Sequence, residues 1–167
     1  LPQAQGTSNV EKASELFAQE AEHLEKLGNH PQIPELMAYF TQDNRQYLVQ
    51  EYVEGQTIAQ ELEKKGVFRE QEIWELLQDM LGILQFVHQN KVIHRDIKPE
   101  NLIRRSKDNK IVLVDFGASK LTETQSVTVT GTVIGSAEYT SPEQSRGKPK
   151  YCSDLYSLGV TCLHLLT

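Results

Sequence analysis

The run His-Arg-Asp-Ile-Lys-Pro-Glu-Asn at residues 94–101 constrains this chain more than any other feature. It holds a carboxylate at Asp96, an ammonium group at Lys98 and an amide at Asn101, and Asp115-Phe116-Gly117 begins fourteen residues after Asn101. These groups suit the handling of a hydroxyl, a triphosphate and magnesium, because phosphoryl transfer depends mainly on positioning and charge neutralisation. The two segments, in this order and with a strand-like run between them, therefore indicate a phosphoryl-transfer site.

Each of these side chains has a chemical role that its type permits. In such a site Asp96 would accept or orient the proton of the attacking hydroxyl, and Lys98 could place its charge against the γ-phosphate. Asn101 and Asp115 offer the oxygen ligands that magnesium prefers. The alternative is that Asp96, Lys98 and Asn101 are loop residues that only solvate a turn before Pro99.

The bulk properties exclude several classes of protein. A length of 167 residues suits one ordinary domain or a large piece of a bigger one, and a net charge of −6 argues against a general nucleic-acid binder. No secretory signal or membrane segment is visible in the chain. Cys152 and Cys162 with His164 are too few ligands for structural zinc, so we expect small buried cysteines in a reducing, cytoplasmic protein.

Apolar periodicity and turn residues predict the elements along the chain. The expected helices are 8–28, ended by Gly28; a short polar one over 57–65, closed by Gly66; a long one over about 69–90; and a last one from near Ser153. The last helix is apolar on nearly every side, so we expect it to be buried all round. The expected strands are Leu36–Phe40, Gln46–Tyr52, Val92–Ile93, Leu102–Arg104 and Ile111–Val114, and Gly117 to about Ser141 reads as a long functional loop.

The chain resembles the catalytic domain of eukaryotic-like (Hanks-type) bacterial serine/threonine protein kinases. Residues 94–101 and 115–117 match H-R-D-x-K-x-x-N and D-F-G, and residues 29–34 and 131–139 are similar to cyanobacterial kinases. The resemblance implies an α+β, protein-kinase-like fold. It implies a partial N-lobe and hinge over 1–53, with the αC helix and two strands. It also implies a mainly helical C-lobe over 54–167, through αF and truncated before αG, with catalytic loop 94–101 and activation segment 115–143.

The resemblance further implies ATP- and Mg²⁺-dependent transfer of phosphate to Ser/Thr hydroxyls of proteins. The catalytic residues would be Asp96, Lys98 and Asn101, and the metal ligands would be Asn101 and Asp115. Glu20 would be the αC glutamate that pairs with a lysine on strand β3 of the family.

The family's adenine pocket corresponds to the hinge region of this chain. The backbone groups of Glu51 and Val53 would meet the adenine edge, next to a gatekeeper at Gln50. Ile103 would form the apolar floor beneath adenine, and Val114 would line the pocket ahead of Asp115. Ile103 and Val114 also suit ordinary core strands.

The resemblance also assigns structural positions. The family's apolar column, which couples the lobes, would consist of Leu24, Leu36, His94 and Phe116. Asp154 would anchor that column from αF, although an acid at a helix start is equally explained by the helix dipole.

In the activation segment, Ser136 would contact the catalytic Asp and Lys. Arg95 indicates regulation by a phosphorylated loop, because a guanidinium binds phosphate with two hydrogen bonds. The candidate phosphate acceptors are Ser126, Thr128, Thr130 and Thr132.

Two features of the family are missing from this sequence. No Gly-rich phosphate loop is present and no lysine precedes Lys12, so Glu20 lacks its family partner. We therefore expect this chain alone to be weak or inactive, and to self-associate through exposed apolar surface. The alternatives are a pseudokinase-like scaffold or interaction module, and a small-molecule phosphotransferase. The segment from Ser136 to Ser141-Pro142-Glu143, which docks peptides in protein kinases, disfavours the phosphotransferase.

Overall fold

A computed structural model describes residues 18–28, 30–43, 45–117, 120–121 and 136–167. The helices are α1 over 18–27, α2 Ile58–Lys65, α3 Glu70–Gln89, a 3-10 turn Pro99–Asn101, α4 Pro142–Ser145 and α5 Tyr151–Leu166. The strands are β1 Leu36–Gln42, β2 Arg45–Gln50, β3 Gly55–Thr57, β4 Val92–Ile93, β5 Leu102–Arg105, β6 Ile111–Leu113 and β7 Lys120–Leu121. Helices combined with small antiparallel sheets confirm the expected α+β class.

Helix α1 ends where the sequence predicts. Gly28 adopts a φ of 57°, and its N–H donates to the Leu24 carbonyl at 3.1 Å. A glycine closes a helix in this left-handed conformation at little steric cost. The predicted beginning of the helix, residues 8–17, lies outside the described residues.

Strands β1 and β2 form an antiparallel hairpin around a turn in which Asp43 has a φ of 51°. The predicted second strand, Gln46–Tyr52, runs two residues too far. The Glu51 N–H donates to the Glu35 carbonyl, and the chain then leaves the hairpin with Tyr52 86% exposed.

Sheet β3-β5-β6 contains a strand that the sequence did not reveal. Gly55, expected only to break the chain, begins β3 and pairs with Arg105. A Cβ at Gly55 would collide with the Arg104 carbonyl oxygen, so this close pairing requires glycine. Within the expected long loop, Lys120–Leu121 likewise pairs with Val92–Ile93 as β7 against β4.

Helix α3 supplies the centre of the core. One face is buried through Ile73, Leu76, Met80, Ile83, Leu84 and Val87. It packs against α5, β4 and β6, which places the catalytic loop directly after its C-terminal end.

The expectation that α5 is buried all round is wrong for the described residues. Leu158 and Leu165 are buried, but Leu155, Leu163 and Leu166 are 47%, 60% and 44% exposed. Only one side of the helix meets other described elements, so its second apolar side faces solvent. The helix also begins at Tyr151, two residues before the predicted Ser153.

The two cysteines differ, contrary to the expectation that both are buried. Cys162 is buried, which raises the pKa of its thiol to about 11, whereas Cys152 is exposed near the start of α5. Among the described helices, none is both long and apolar enough to cross a bilayer.

Candidate active site

The Asp96 carboxylate lies at the centre of a hydrogen-bonded group of polar side chains. The Lys98 Nζ lies 2.9 Å from Asp96 Oδ2, and the Asn101 Nδ2 donates to the same oxygen at 3.0 Å. The backbone N–H of Ser136 donates to Asp96 Oδ1 at 3.0 Å, and Lys98 Nζ donates to the Ser136 Oγ at 2.8 Å. The structure thus brings Asp96, Lys98, Asn101 and Ser136 together in one site.

These contacts set the charge of Asp96. Burial by itself would raise the pKa of the carboxyl, but the hydrogen bonds from Lys98, Ser136 and Asn101 outweigh burial and hold that pKa below its ordinary value. The carboxylate is therefore ionised at neutral pH, and both of its oxygens are oriented.

The orientation of Asn101 suits a magnesium ligand. Its Nδ2 donates to both the backbone carbonyl of Asp96, at 2.8 Å, and the Asp96 carboxylate. The amide nitrogen thus faces Asp96, and the amide oxygen is left on the other edge. The Val114 N–H donates to the Asn101 carbonyl at 3.0 Å, which places Asp115 beside it. An amide oxygen and an exposed carboxylate are hard donors, so this pair fits Mg²⁺.

Arg95 and Asp115, which flank these groups, both have left-handed backbones, with φ of 74° and 65°. Such conformations are costly for residues other than glycine and persist only where the surroundings enforce them. For Arg95 the enforcement comes from α5. The wholly buried carboxylate of Asp154 accepts the N–H of Arg95 at 2.8 Å and that of His94 at 3.0 Å. Asp154 therefore does more than cap a helix.

The Arg95 side chain is buried but incompletely satisfied. It is 7% exposed, and no group in the described part of the chain hydrogen-bonds its Nε. Burial lowers the pKa of the guanidinium from its ordinary value, and the negative charge of Asp154 partly opposes this effect.

Two side chains one turn apart on helix α1 form hydrogen bonds with the backbone of Phe116. Glu20 accepts a hydrogen bond from the Phe116 N–H, and His23 donates one to the Phe116 carbonyl. Burial first, and the charge of Asp115 second, raise the pKa of Glu20. Across the described residues, no lysine or arginine forms an ion pair with Glu20. The cationic partner implied by the family resemblance is thus not seen here.

Within the apolar column, one pair of rings is in direct contact. The rings of His94 and Phe116 meet edge to face with their centroids 4.7 Å apart. His94 Nε2 donates to the Val114 carbonyl at 3.1 Å, and Nδ1 accepts the Asp96 N–H at 3.3 Å. Leu24 is also buried, and Leu36 packs against the core at its edge.

The residues assigned to the adenine pocket lie in two parts of the fold, namely the connection after β2 and the sheet that contains β5 and β6. Glu51 is exposed and Val53 half-buried in the connection after β2, which begins directly after Gln50. Ile103 is half-buried in the middle strand β5, and Val114 is half-buried after β6. Ser126, Thr128, Thr130 and Thr132 lie outside the described residues.

Sequence reasoning missed two residues that support the site. His88 Nε2 lies 2.8 Å from Asp154 Oδ2, and Gln144 Nε2 donates to the Arg95 carbonyl at 2.7 Å. Neither residue belongs to a recognised motif. The burial of these side chains becomes evident only once the fold is known, since Gln144 is 3% exposed between the half-buried Glu143 and the exposed Ser145.

Comparison with known proteins agrees with this geometry. Residues 3–167 match the family described as "Protein kinase domain". The chain is 47% identical to "Serine/threonine-protein kinase B" of Synechocystis sp., over 99% of this chain and 30% of that protein. It is 45% identical to "Serine/threonine-protein kinase PknA" of Nostoc sp., over 92% of this chain and 28% of that protein.

A more distant relative shows the same similarity. The chain is 35% identical to "Serine/threonine-protein kinase PrkC" of Bacillus subtilis, over 90% of this chain and 23% of that protein. The chain thus spans less than a third of the length of these three curated relatives. The expected likeness to bacterial, and in particular cyanobacterial, Hanks-type kinases is confirmed. With its match along nearly the whole chain, this sequence belongs to the protein kinase domain family.

Proposed function

We propose that this chain provides the catalytic loop and metal-binding groups of a protein kinase that transfers phosphate from ATP to Ser/Thr hydroxyls. The observation that carries the proposal is the Asp96 carboxylate, which Lys98, Asn101 and Ser136 hold in place, together with the exposed Asp115 that directly follows the bond between Val114 and Asn101. The three relatives are all named as serine/threonine-protein kinases, which supports the same reaction.

In this mechanism Asp96 orients the attacking hydroxyl and accepts its proton. A general base contributes when it is deprotonated and held within hydrogen-bonding reach of its substrate. The bonds that lower the pKa of Asp96 keep it ionised, and they favour positioning over base strength. Such a balance suits phosphoryl transfer, whose loose transition state requires little proton removal.

Lys98 and Ser136 connect Asp96 to the peptide-docking segment. The Lys98 Nζ is shared between the Asp96 carboxylate and the Ser136 hydroxyl, so its charge lies directly beside the proposed base. In the proposed reaction this ammonium group neutralises charge on the transferred phosphoryl group. A shift of the docking segment would move Ser136 and so change its hydrogen bonds with Lys98 and Asp96 in the catalytic loop.

Asn101 and Asp115 would hold magnesium through their side-chain oxygens. The backbones of Glu51 and Val53 would bind adenine, with Ile103 and Val114 as the apolar lining. When bound, Mg²⁺ with ATP supplies the phosphoryl group and neutralises its charge. Glu20 would hold a cationic partner near the phosphates, which would relieve its repulsion with Asp115.

We also propose that Arg95 binds a phosphorylated residue of the activation segment. Its buried guanidinium Nε lacks a partner in the described part of the chain, and such a group is stabilised by a doubly charged anion. Ser126, Thr128, Thr130 and Thr132 are the candidate acceptors.

Substitution of Asp96 in the intact protein tests the proposed function. With a pool of Ser- and Thr-containing peptides, Asp96→Asn should lower kcat by about 10²–10⁴-fold, the usual contribution of a positioned acid–base group. Mass spectrometry should locate the phosphate on Ser or Thr. Asp108→Asn is the matched control, because Asp108 pairs with Arg105 on the surface turn after β5. Undiminished turnover by Asp96→Asn would refute the proposal. Tight ATP-independent protein binding without turnover by the wild type would favour the scaffold.

A further inference from the structure

The peptide that joins Arg95 to Asp96 is held at both of its polar groups. Its carbonyl, on Arg95, accepts the Gln144 Nε2 at 2.7 Å, and its N–H, on Asp96, donates to His94 Nδ1 at 3.3 Å. The preceding peptide is held by Asp154, which accepts the Arg95 N–H at 2.8 Å. Asp154 and Gln144 therefore grip Arg95 on its two sides.

Arg95 needs such support because its φ of 74° is unfavourable for a residue with a Cβ. A rotation about the Arg95 N–Cα bond would relieve the strain, and it would move the Arg95–Asp96 peptide and Asp96 with it. The Gln144 bond opposes this rotation directly, since it fixes the carbonyl of that peptide. The bond is buried, so water does not readily replace it.

Gln144 is itself rigidly placed. It lies in α4, where its backbone N–H donates to the Ser141 Oγ that caps the helix, and both residues are buried. The neighbouring Glu143 accepts the Ser153 Oγ at 2.6 Å, which ties α4 to α5. The amide therefore projects from a turn that is anchored independently of the catalytic loop.

We propose that Gln144 is a positioning residue for phosphoryl transfer, which fixes the peptide before Asp96 and thereby the direction of the Asp96 carboxylate. This inference rests on the proposed function, because it assigns Gln144 a task only if Asp96 is the catalytic group. It links the end of the activation segment to catalysis through the backbone.

The variant Gln144→Met in the intact protein removes the donor and keeps the length of the side chain. We expect kcat per folded molecule to fall about tenfold, as for one typical buried hydrogen bond. The KM for ATP should stay within about twofold, since the bond does not touch the adenine pocket. Gln144→Asn, which withdraws the amide by one methylene, should lower kcat similarly if Gln144→Met folds poorly.

Gln32→Met is the matched control. Gln32 Nε2 donates to the Ile111 carbonyl at 2.9 Å, so the same substitution removes the same kind of bond away from the catalytic loop. We expect this control to lower the Tm while kcat per folded molecule is unchanged. In spectra of protein labelled with ¹⁵N-aspartate, Gln144→Met should move the Asp96 amide resonance and Gln32→Met should not.

A kcat within about twofold of wild type in folded Gln144→Met, or a loss confined to KM, would overturn the inference. In that case, an inactive Asp96→Asn in the same assay would mean that only the proposed role of Gln144 is wrong. Full activity of Asp96→Asn would mean that the proposed function is wrong as well.

Discussion

The buried ring of His23 ties the stability of this chain to pH. The side chain is 2% exposed and lies on the face of α1 that covers Phe116. Burial lowers its pKa to about 4, and the charge of Lys26 adds to this effect. The hydrogen bond to the Phe116 carbonyl acts in the opposite direction but is too weak to restore an ordinary value. The ring is therefore neutral at pH 7.

His23 should make the folded chain less stable in acid. Between pH 6.5 and about 4 the unfolded chain binds a proton that the folded chain excludes. The free energy of unfolding should thus fall as pH drops through this window. The loss is complete below pH 4 and amounts to roughly 3 kcal/mol. Urea unfolding at several pH values measures it.

The variant His23→Gln, which keeps a donor for Phe116, should remove this part of the pH dependence. His164→Gln, on the exposed side of α5, is the control and should leave the contribution of His23 in place. An unchanged pH slope in His23→Gln would show that the ring does not exclude the proton.

Residue types within short motifs were predictable from sequence, and residues that act across the fold were not. Asp96, Lys98 and Asn101 are separated by a few residues, so one local pattern names all three. The Gln144 amide meets a carbonyl 49 residues away, and His88 meets Asp154 across 66 residues. The local sequence around Gln144 and His88 does not indicate these partners, because the residues become neighbours only when the helices pack.

At the scale of elements, α3 is the support on which the catalytic loop is built. Its apolar stripe is buried against α5 and β6, and Leu84 is 1% exposed whereas Leu81, on the same helix, is 50% exposed. The two residues lie on the same helix and have the same type of side chain, so they differ mainly in burial.

We therefore expect Leu84→Ala to lower the free energy of unfolding by about 2–5 kcal/mol, because it leaves a cavity in a packed core. Leu81→Ala should change it by less than about 0.5–1 kcal/mol, as exposed substitutions usually do. Chemical denaturation of both variants measures the difference. Equal losses would mean that α3 does not pack as described.

Helices with clear end signals were predicted well. Thr57 and Gln60 form a reciprocal capping box for α2, and Gly66 closes it. The short strands β3 and β7 were missed because pairing with distant strands, rather than their own residues, makes them strands. In β3 the glycine that marks a break in sequence is the residue that allows close pairing.

At the scale of the whole molecule, four separate segments converge on residues 94–117. Helix α5 contributes Asp154, α4 contributes Gln144, the segment before α4 contributes Ser136, and α1 contributes Glu20 and His23. We therefore expect the proposed phosphoryl transfer to depend on how these elements are assembled, including the placement of α1.

The outer side of α5 carries large apolar side chains that remain exposed in this 167-residue chain. Leu155, Leu163 and Leu166 lie on one face of the helix and are 47%, 60% and 44% exposed. Contiguous apolar surface of this kind promotes association because burying it removes it from water. We expect the isolated chain to self-associate, with an average mass in sedimentation velocity that rises with concentration.

Replacing the exposed leucines with charge should reverse that behaviour. Leu163→Lys combined with Leu166→Lys places two like charges on the face that would meet a second copy, so the chain should remain monomeric as concentration rises. Leu81→Lys is the matched control, because Leu81 is similarly exposed but lies on α3. It should leave self-association unchanged. A mass that is independent of concentration in the unaltered chain would contradict the expectation, and equal effects of the α3 and α5 substitutions would assign association to net charge rather than to the face of α5.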